Sequence, residues 1–236
     1  MRLPRDVGVI VVAAGRGERL GGDTAKQYQL IRGIPMVLRA LRPFISRPEV
    51  AQVVLVLPPE DAANPPAFLS ALSATSAPLL TIVPGGPHRG DSVRAGLNAM
   101  RAECVVVLVH DAARPFVDQE VIGAVIGIAR CGEGAVPAVP LSDTLKEASP
   151  GDPMRIARTR PRAHLWRAQT PQGFPRAVLE EAHARAVRDR HRATDDAALV
   201  ETIGVPVRLV LDSARNLKVT TREDLALAEL LAVASP

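Results

Sequence analysis

Only three of the 29 Lys plus Arg residues in this chain are lysines: Lys26, Lys146 and Lys218. A lysine ammonium is a compact point charge that a planar guanidinium does not replace sterically, so a lysine kept among arginines can mark a phosphate contact. Chance survival of a few lysine codons is the plain alternative, and local context decides. Lys26 follows closely on the run Ala13-Ala14-Gly15-Arg16-Gly17-Glu18-Arg19-Leu20-Gly21-Gly22. Such glycines let backbone N–H groups approach a phosphate chain closely. A dinucleotide fingerprint needs glycine where Leu20 stands, and the Gly-Lys-Ser/Thr of a Walker A loop is missing. The loop alone would equally serve as an ordinary strand-to-helix turn. Arg19 and Lys26 tilt it toward phosphate, because two cations on one loop supply the neutralisation that phosphoryl transfer demands.

A second glycine loop, Pro84-Gly85-Gly86-Pro87-His88-Arg89-Gly90-Asp91-Ser92, follows another apolar run. Paired glycines suit close packing of backbone against a flat base. Ser92 is either a base-reading hydroxyl or, with Asp91, simply a helix cap, and His88 reads as a surface residue. Third comes Val109-His110-Asp111-Ala112-Ala113-Arg114-Pro115, which puts a carboxylate directly after a strongly apolar strand. Mg²⁺ prefers one or two carboxylates together with phosphate oxygens and waters, a role open to Asp111. A structural pair with Arg114 is the alternative. Finally, Asn216-Leu217-Lys218-Val219-Thr220-Thr221-Arg222-Glu223-Asp224 places Lys218 on a strand just ahead of a helix that Thr221 caps, with Asp224 three residues on.

These loops need a scaffold. Short β-branched runs alternate with segments of helical period, the pattern of a mostly parallel sheet covered by helices, an α/β fold in one domain spanning 1–236. Strands are expected over 7–12, 53–57, 79–83, 105–109, 135–139 and 205–211. Helices are expected over 35–45, 62–72, 90–100, 119–129, 176–190 and 222–231, with Pro35 in a first turn and Asp118 as an N-cap. Residues 142–170 break the pattern. They are polar, proline-containing and arginine-rich, too long for an ordinary connection, and read as an irregular functional arm or oligomer contact.

Composition narrows the function classes. The chain has 236 residues, is 47% hydrophobic and carries a net charge of +4, enough to bury a substantial core. Its basic excess fits a phosphorylated small substrate better than nucleic acid, because 3% aromatics offer few stacking platforms. Cys104 and Cys131 lie in apolar surroundings and read as buried thiols of a protein in the reducing cytoplasm. The N-terminus lacks the pattern of an export signal, and no run approaches the ~20 apolar residues of a membrane span. A nicotinamide oxidoreductase would want a ribose-binding acid after the second strand, where Glu60 and Asp61 stand, but its glycine fingerprint fails at Leu20. A nucleotide-sensing module without turnover is a further alternative.

The phrases VVAAGRGERLGGDTAKQY, PGGPHRGDSVRAGL, VHDAARPF, PLSDTLK, QTPQGF, TDDAALVE and NLKVTTREDLALAE, in that order over nearly the whole chain, resemble the 2-C-methyl-D-erythritol 4-phosphate cytidylyltransferases of non-mevalonate isoprenoid synthesis. The resemblance implies a Rossmann-like nucleotidyltransferase fold and the transfer of a cytidylyl group from CTP to methylerythritol phosphate with Mg²⁺. It implies that Arg19, Lys26, Arg162 and Lys218 are catalytic and that Asp111 serves the metal. Ala13, Ala14, Gly15, Gly17, Gly85, Gly86, Ser92 and Ala112 would bind the nucleotide, and Thr144, Arg162 and Lys218 the polyol phosphate. It further implies a homodimer in which the 142–170 arm reaches the neighbouring subunit's site. Ribitol phosphate cytidylyltransferases share much of this pattern. Pro87 stands where relatives usually carry a polar residue and has no N–H to offer a base. Arg215 stands where an acidic residue is common.

Overall fold

The computed structural model describes residues 4–15, 25–69, 72 and 79–233. Eight strands form the central sheet: β1 (Val7–Val12), β4 (Val50–Leu57), β5 (Leu79–Pro84), β6 (Val106–Asp111), β7 (Gly134–Pro140), β10 (Trp166–Ala168), β11 (Gln172–Pro175) and β12 (Val207–Leu211). Their order is β10-β7-β11-β6-β1-β4-β5, with β12 beside β7. Pairs β1/β4, β1/β6, β4/β5 and β7/β12 are parallel, whereas β11 runs antiparallel to β6 and β7, and β10 antiparallel to β7. Two small ladders lie apart from it: β2 (Leu30–Ile31) with β3 (Ile34–Pro35), and β8 (Leu145–Ser149) with β9 (Asp152–Arg160).

Helices cover both faces of the sheet, as its doubly apolar strands require. Val7, Val9 and Val11 of β1 pack with Leu108 of β6 toward α1 (Met36–Ile45) and α4 (Gln119–Arg130). Ile10, Val107 and Val109 pack the other way, toward α3 (Arg89–Asn98), α5 (Arg176–Arg188) and α6 (Asp196–Thr202). The short α2 (Pro59–Ala63) follows β4, and α7 (Arg222–Leu231) closes the described chain. Two helix starts are capped by side chains as their spacing anticipates. The Asp118 carboxylate accepts the Glu120 N–H at 3.0 Å, and Thr221 and Asp224 form the reciprocal capping box anticipated from their spacing.

Several expectations need correction. The single helix over 62–72 is not formed: α2 ends at Ala63, and among the described residues helical geometry returns at 67–69 and 72, because Pro65 and Pro66 supply no N–H to a helix and disfavour helical geometry in the residues before them. Pro35 is the N-cap residue of α1 and the end of β3, one position before the first turn. Cys104 is buried as expected, but Cys131 caps α4 at the surface and is exposed. The arm is not irregular. Its residues form the β8–β9 hairpin, whose strand β9 is exposed along its whole length, so no alternation of apolar residues announced it. Lys218 is not on a strand; it lies in a stretch without regular secondary structure, 217–220, outside the sheet.

Candidate active site

The strand order reverses at β1. Strands β4 and β5 extend the sheet to one side, and the chain then crosses back to lay β6 on the other, pairing Val12 with Asp111. Ligands of open α/β sheets bind at such a switch point, beyond the carboxyl ends of the strands. A cleft of about 250 Å³ lies there, lined by Ala13, Ala14, Gly15, Lys26, Gly86, Ser92, Asp111, Ala112 and Lys218 among others. Four segments, spread from Ala13 to Lys218 in the sequence, thus converge through topology alone.

The first two loops touch directly. A Cβ on Gly85 would stand 2.4 Å from the Ala14 Cβ and 2.8 Å from the Ser92 Oγ, and one on Gly86 would stand 2.3 Å from the Asp91 Cβ. Only glycine permits that approach. The Gly86 N–H donates to the Ser92 Oγ at 3.3 Å, which in turn donates to the His88 carbonyl at 3.3 Å. Asp91 takes the capping role, accepting the His88 N–H at 3.0 Å, so Ser92 is left to shape the cleft wall. His88 is exposed, as anticipated.

Strand alternation divides the roles of His110 and Asp111. His110 turns into the α1 layer, its ring edge-to-face with Phe44 at 5.0 Å between centroids. Its Nε2 lies 2.9 Å from the Arg114 carbonyl and its Nδ1 3.0 Å from the Thr170 Oγ1. Burial pushes this imidazole down to about 4, although the bond to the Arg114 carbonyl and the nearby Asp111 carboxylate favour the charged form. Asp111 faces the cleft. Its N–H donates to Thr170 Oγ1 at 3.1 Å, and its carboxylate meets Lys218 Nζ at 2.7 Å, Arg89 Nε at 3.6 Å and Arg114 Nε at 4.0 Å. Burial raises this carboxyl, but Lys218, Arg89 and Arg114 more than offset it and hold the group at about 2. Of its three cations Lys218 is nearest, so Asp111 is no private partner of Arg114.

Lys218 reaches Asp111 because the preceding loop is tied down. Asn216 donates from Nδ2 to the Thr170 carbonyl at 2.9 Å and to Asp212 at 2.7 Å. Its own carbonyl accepts from Arg114 Nη1 at 2.7 Å and Gln169 Nε2 at 2.9 Å. The Val219 N–H donates to the Ala113 carbonyl at 2.8 Å. Asn216, Arg114, Gln169, Thr170 and Val219 are all buried, which fixes a long side chain at its root. Arg89 is fixed in turn by Asp196, 2.6 Å from its Nη1 and 1% exposed. Asp196 also meets His183 Nε2 at 2.9 Å, and its N–H donates to Gln172 Oε1 at 3.1 Å. An alternating row of charges, Asp196, Arg89, Asp111 and Lys218, therefore runs from under α6 into the cleft.

Sequence reasoning misses Arg89, Thr170, Gln169, Gln172 and Asp196. All lie inside the phrases that carry the resemblance, but their local spacing assigns them no role. Gly17 and Arg19 lie outside the described residues. Thr144 and Arg162 are exposed on the arm segment and do not line this chain's cleft, and Lys146 bonds Thr159 across the hairpin at 2.8 Å. Lys26 and Lys218, in contrast, both line the cleft.

The chain is similar to known proteins. The sequence profile described as 2-C-methyl-D-erythritol 4-phosphate cytidylyltransferase matches residues 7–233. The Streptomyces coelicolor protein of that name is 42% identical over 233 residues, covering 97% of this chain and 85% of its own. Its Symbiobacterium thermophilum counterpart is 43% identical over 225 residues, covering 95% and 92%. The crystal structure of the Thermus thermophilus enzyme superposes with a TM-score of 0.79 at 36% identity, covering 97% of this chain and 99% of the other. With matches this long and motifs that meet in one cleft, the chain belongs to the 2-C-methyl-D-erythritol 4-phosphate cytidylyltransferase family.

Proposed function

We propose that this protein transfers the cytidylyl group of CTP to 2-C-methyl-D-erythritol 4-phosphate. The observation that carries the reading is the Asp111–Lys218 pair at the switch point, walled by two glycine loops and faced by Lys26. A phosphate oxygen of the polyol phosphate attacks the α-phosphorus of CTP. The bond from that phosphorus to the bridging oxygen breaks, and pyrophosphate leaves. Two polyanions repel until cations screen them, so positioning and charge neutralisation supply the catalysis. Gly86 and Ser92 form the wall for the base, with Gly85 packed behind it against Ala14, and Ala13, Ala14, Gly15 and Ala112 lie along the nucleotide. Lys26, with Arg19 by resemblance, faces the triphosphate. Lys218 holds the attacking phosphate, exchanging its partner Asp111 for the substrate.

Asp111 suits Mg²⁺. It is an ionised carboxylate at the cleft, and Mg²⁺ takes one or two such groups with phosphate oxygens and waters. When bound, the ion supplies charge neutralisation to the triphosphate. Thr144 and Arg162 would complete the polyol phosphate site from a second copy of the chain. Support comes from the arm and its flank, where Met154 is 92%, Ile156 59% and Trp166 41% exposed, an apolar surface that a homodimer would cover. Two free thiols fit a cytoplasmic protein. Among the described residues no helix is long and apolar enough to cross a membrane.

Pyrophosphate release with each of the four nucleoside triphosphates, with methylerythritol phosphate or ribitol phosphate and with or without Mg²⁺, tests the reading. Turnover is expected with CTP, methylerythritol phosphate and Mg²⁺. Turnover with ribitol phosphate alone would reassign the substrate, and CTP binding without turnover would favour a nucleotide sensor.

A further inference from the structure

Lys26 begins a single three-residue 3-10 turn, Lys26–Tyr28. Two backbone bonds close the turn, Tyr28 N–H to the Ala25 carbonyl at 2.9 Å and Gln29 N–H to the Lys26 carbonyl at 3.2 Å. Bonds of this i to i+3 kind are poorly aligned and hold short pieces weakly. Something else must set where the Lys26 backbone sits. The turn is clamped from outside by Asp61, a residue of α2 just beyond the end of β4. The Tyr28 hydroxyl donates to Asp61 Oδ2 at 2.8 Å, and Gln27 Nε2 reaches the same oxygen at 3.4 Å. The Tyr28 ring stands edge-on to Phe68, with centroids 6.0 Å apart. Gln27 is 4% exposed and lines the cleft beside Lys26.

We infer that Asp61 is a positioning residue for the reaction, latching the Lys26–Tyr28 turn to the central sheet so that the Lys26 ammonium meets the triphosphate. The carboxylate sits where a dinucleotide-binding protein would present its ribose acid, but here it is turned back on the chain's lone tyrosine. Burial and the Asp61 carboxylate both push the Tyr28 hydroxyl well above its ordinary range, so it stays a donor at any pH at which an enzyme works. The latch ties the Lys26–Tyr28 turn to α2, which leaves directly from the end of β4, the strand that pairs with β1 and β5. Displacing a reacting or screening group by about 1 Å can cost up to about a hundredfold in rate, and a loosened latch gives part of that.

The inference rests on Lys26 acting at the triphosphate, and the test separates the two. Turnover number and CTP affinity are measured for Asp61→Ala, Asp61→Asn, Tyr28→Phe, Lys26→Ala and Lys26→Ala combined with Asp61→Ala, with thermal melting of each. Asp61→Ala and Tyr28→Phe are expected to lower kcat about tenfold with a smaller change in CTP affinity, while Asp61→Asn, which keeps an acceptor for Tyr28, recovers most of the loss. In the Lys26→Ala background Asp61→Ala should cost nothing further, because its effect runs through the missing ammonium. The same tenfold loss in that background, or unchanged turnover in both Asp61→Ala and Tyr28→Phe, would overturn the latch. Full turnover in Lys26→Ala would instead overturn the reading of Lys26 itself. Tyr28→Phe removes only a hydroxyl and reads the same contact should Asp61→Ala not fold.

Discussion

Replacing Asp111 by asparagine keeps the outline of the cleft and removes the negative charge on which Lys218, Arg89 and Arg114 converge. Burial alone would raise this carboxyl, yet the three cations hold it at about 2 against an ordinary 3.8. A carboxylate with a depressed folded pKa stabilises the fold above its unfolded value and loses that contribution as the pH falls through the folded one. Asp111 is only 8% exposed, so solvent screening takes little from the effect. The arithmetic gives about 2 kcal/mol at pH 7, falling to about half near pH 3. With a denaturant slope of about 2 kcal/mol per molar, the urea midpoint of Asp111→Asn should lie about 1 M below that of the native protein at pH 7. Equilibrium unfolding at pH 7 and pH 3 reads both numbers. Equal midpoints at pH 7, or a gap that does not narrow at pH 3, would refute the charge cluster as described.

Three other outcomes follow from the same geometry. Gly85→Ala drives a Cβ into Ala14 and Ser92, parting the two loops; CTP affinity should fall about tenfold, in line with the roughly 1–3 kcal/mol typical of overpacking, and an unchanged CTP titration would show that the loops do not grip the base. His110, buried and held down at about 4, stays neutral in the fold while an unfolded histidine takes up a proton below about 6.5. Its contribution is therefore complete above about pH 6.5 and is lost toward pH 4, about 2 kcal/mol of it by pH 5; urea unfolding at both ends of that window should show the slope in the native protein and a flatter one in His110→Gln, and equal slopes would contradict it. On the arm, Ile156→Asp places a charge among exposed apolar side chains and should turn the proposed dimer into monomers by sedimentation, with the circular dichroism of the native protein, whereas a persisting dimer would place the interface elsewhere.

Much of this site is legible in the order and type of its residues. The runs around Val9, Val54 and Val107 announce a buried parallel sheet because both of their faces are covered, and they leave the glycine loops and Asp111 at the carboxyl edge by necessity. Lysine scarcity points to Lys26 and Lys218, and both face the cleft, but the same signal at Lys146 leads only to a hairpin surface. The illegible part depends on pairings distant in sequence. Strands β10 and β11 are three and four residues long, and their hydrogen bonds go to β7 and β6, so no local period marks them. Asp196 meets Arg89 across 107 residues, and Gln172 grips α6 through side-chain bonds. One local signal was available: Asp195 before Ala197, Ala198, Leu199 and Val200 is an N-cap ahead of an apolar turn, and Asp195 does accept the Ala198 N–H at 3.0 Å.

In the proposed reaction Lys218 meets the attacking phosphate more strongly in the transition state than any bound ligand in the ground state. Its most direct test is kcat for Lys218→Ala measured beside the CTP dissociation constant of the same variant. A fall in kcat of about a hundredfold or more, with CTP affinity changed by no more than about threefold, is the predicted result. Near-native kcat, or a loss of CTP binding that matches the loss of rate, would contradict it.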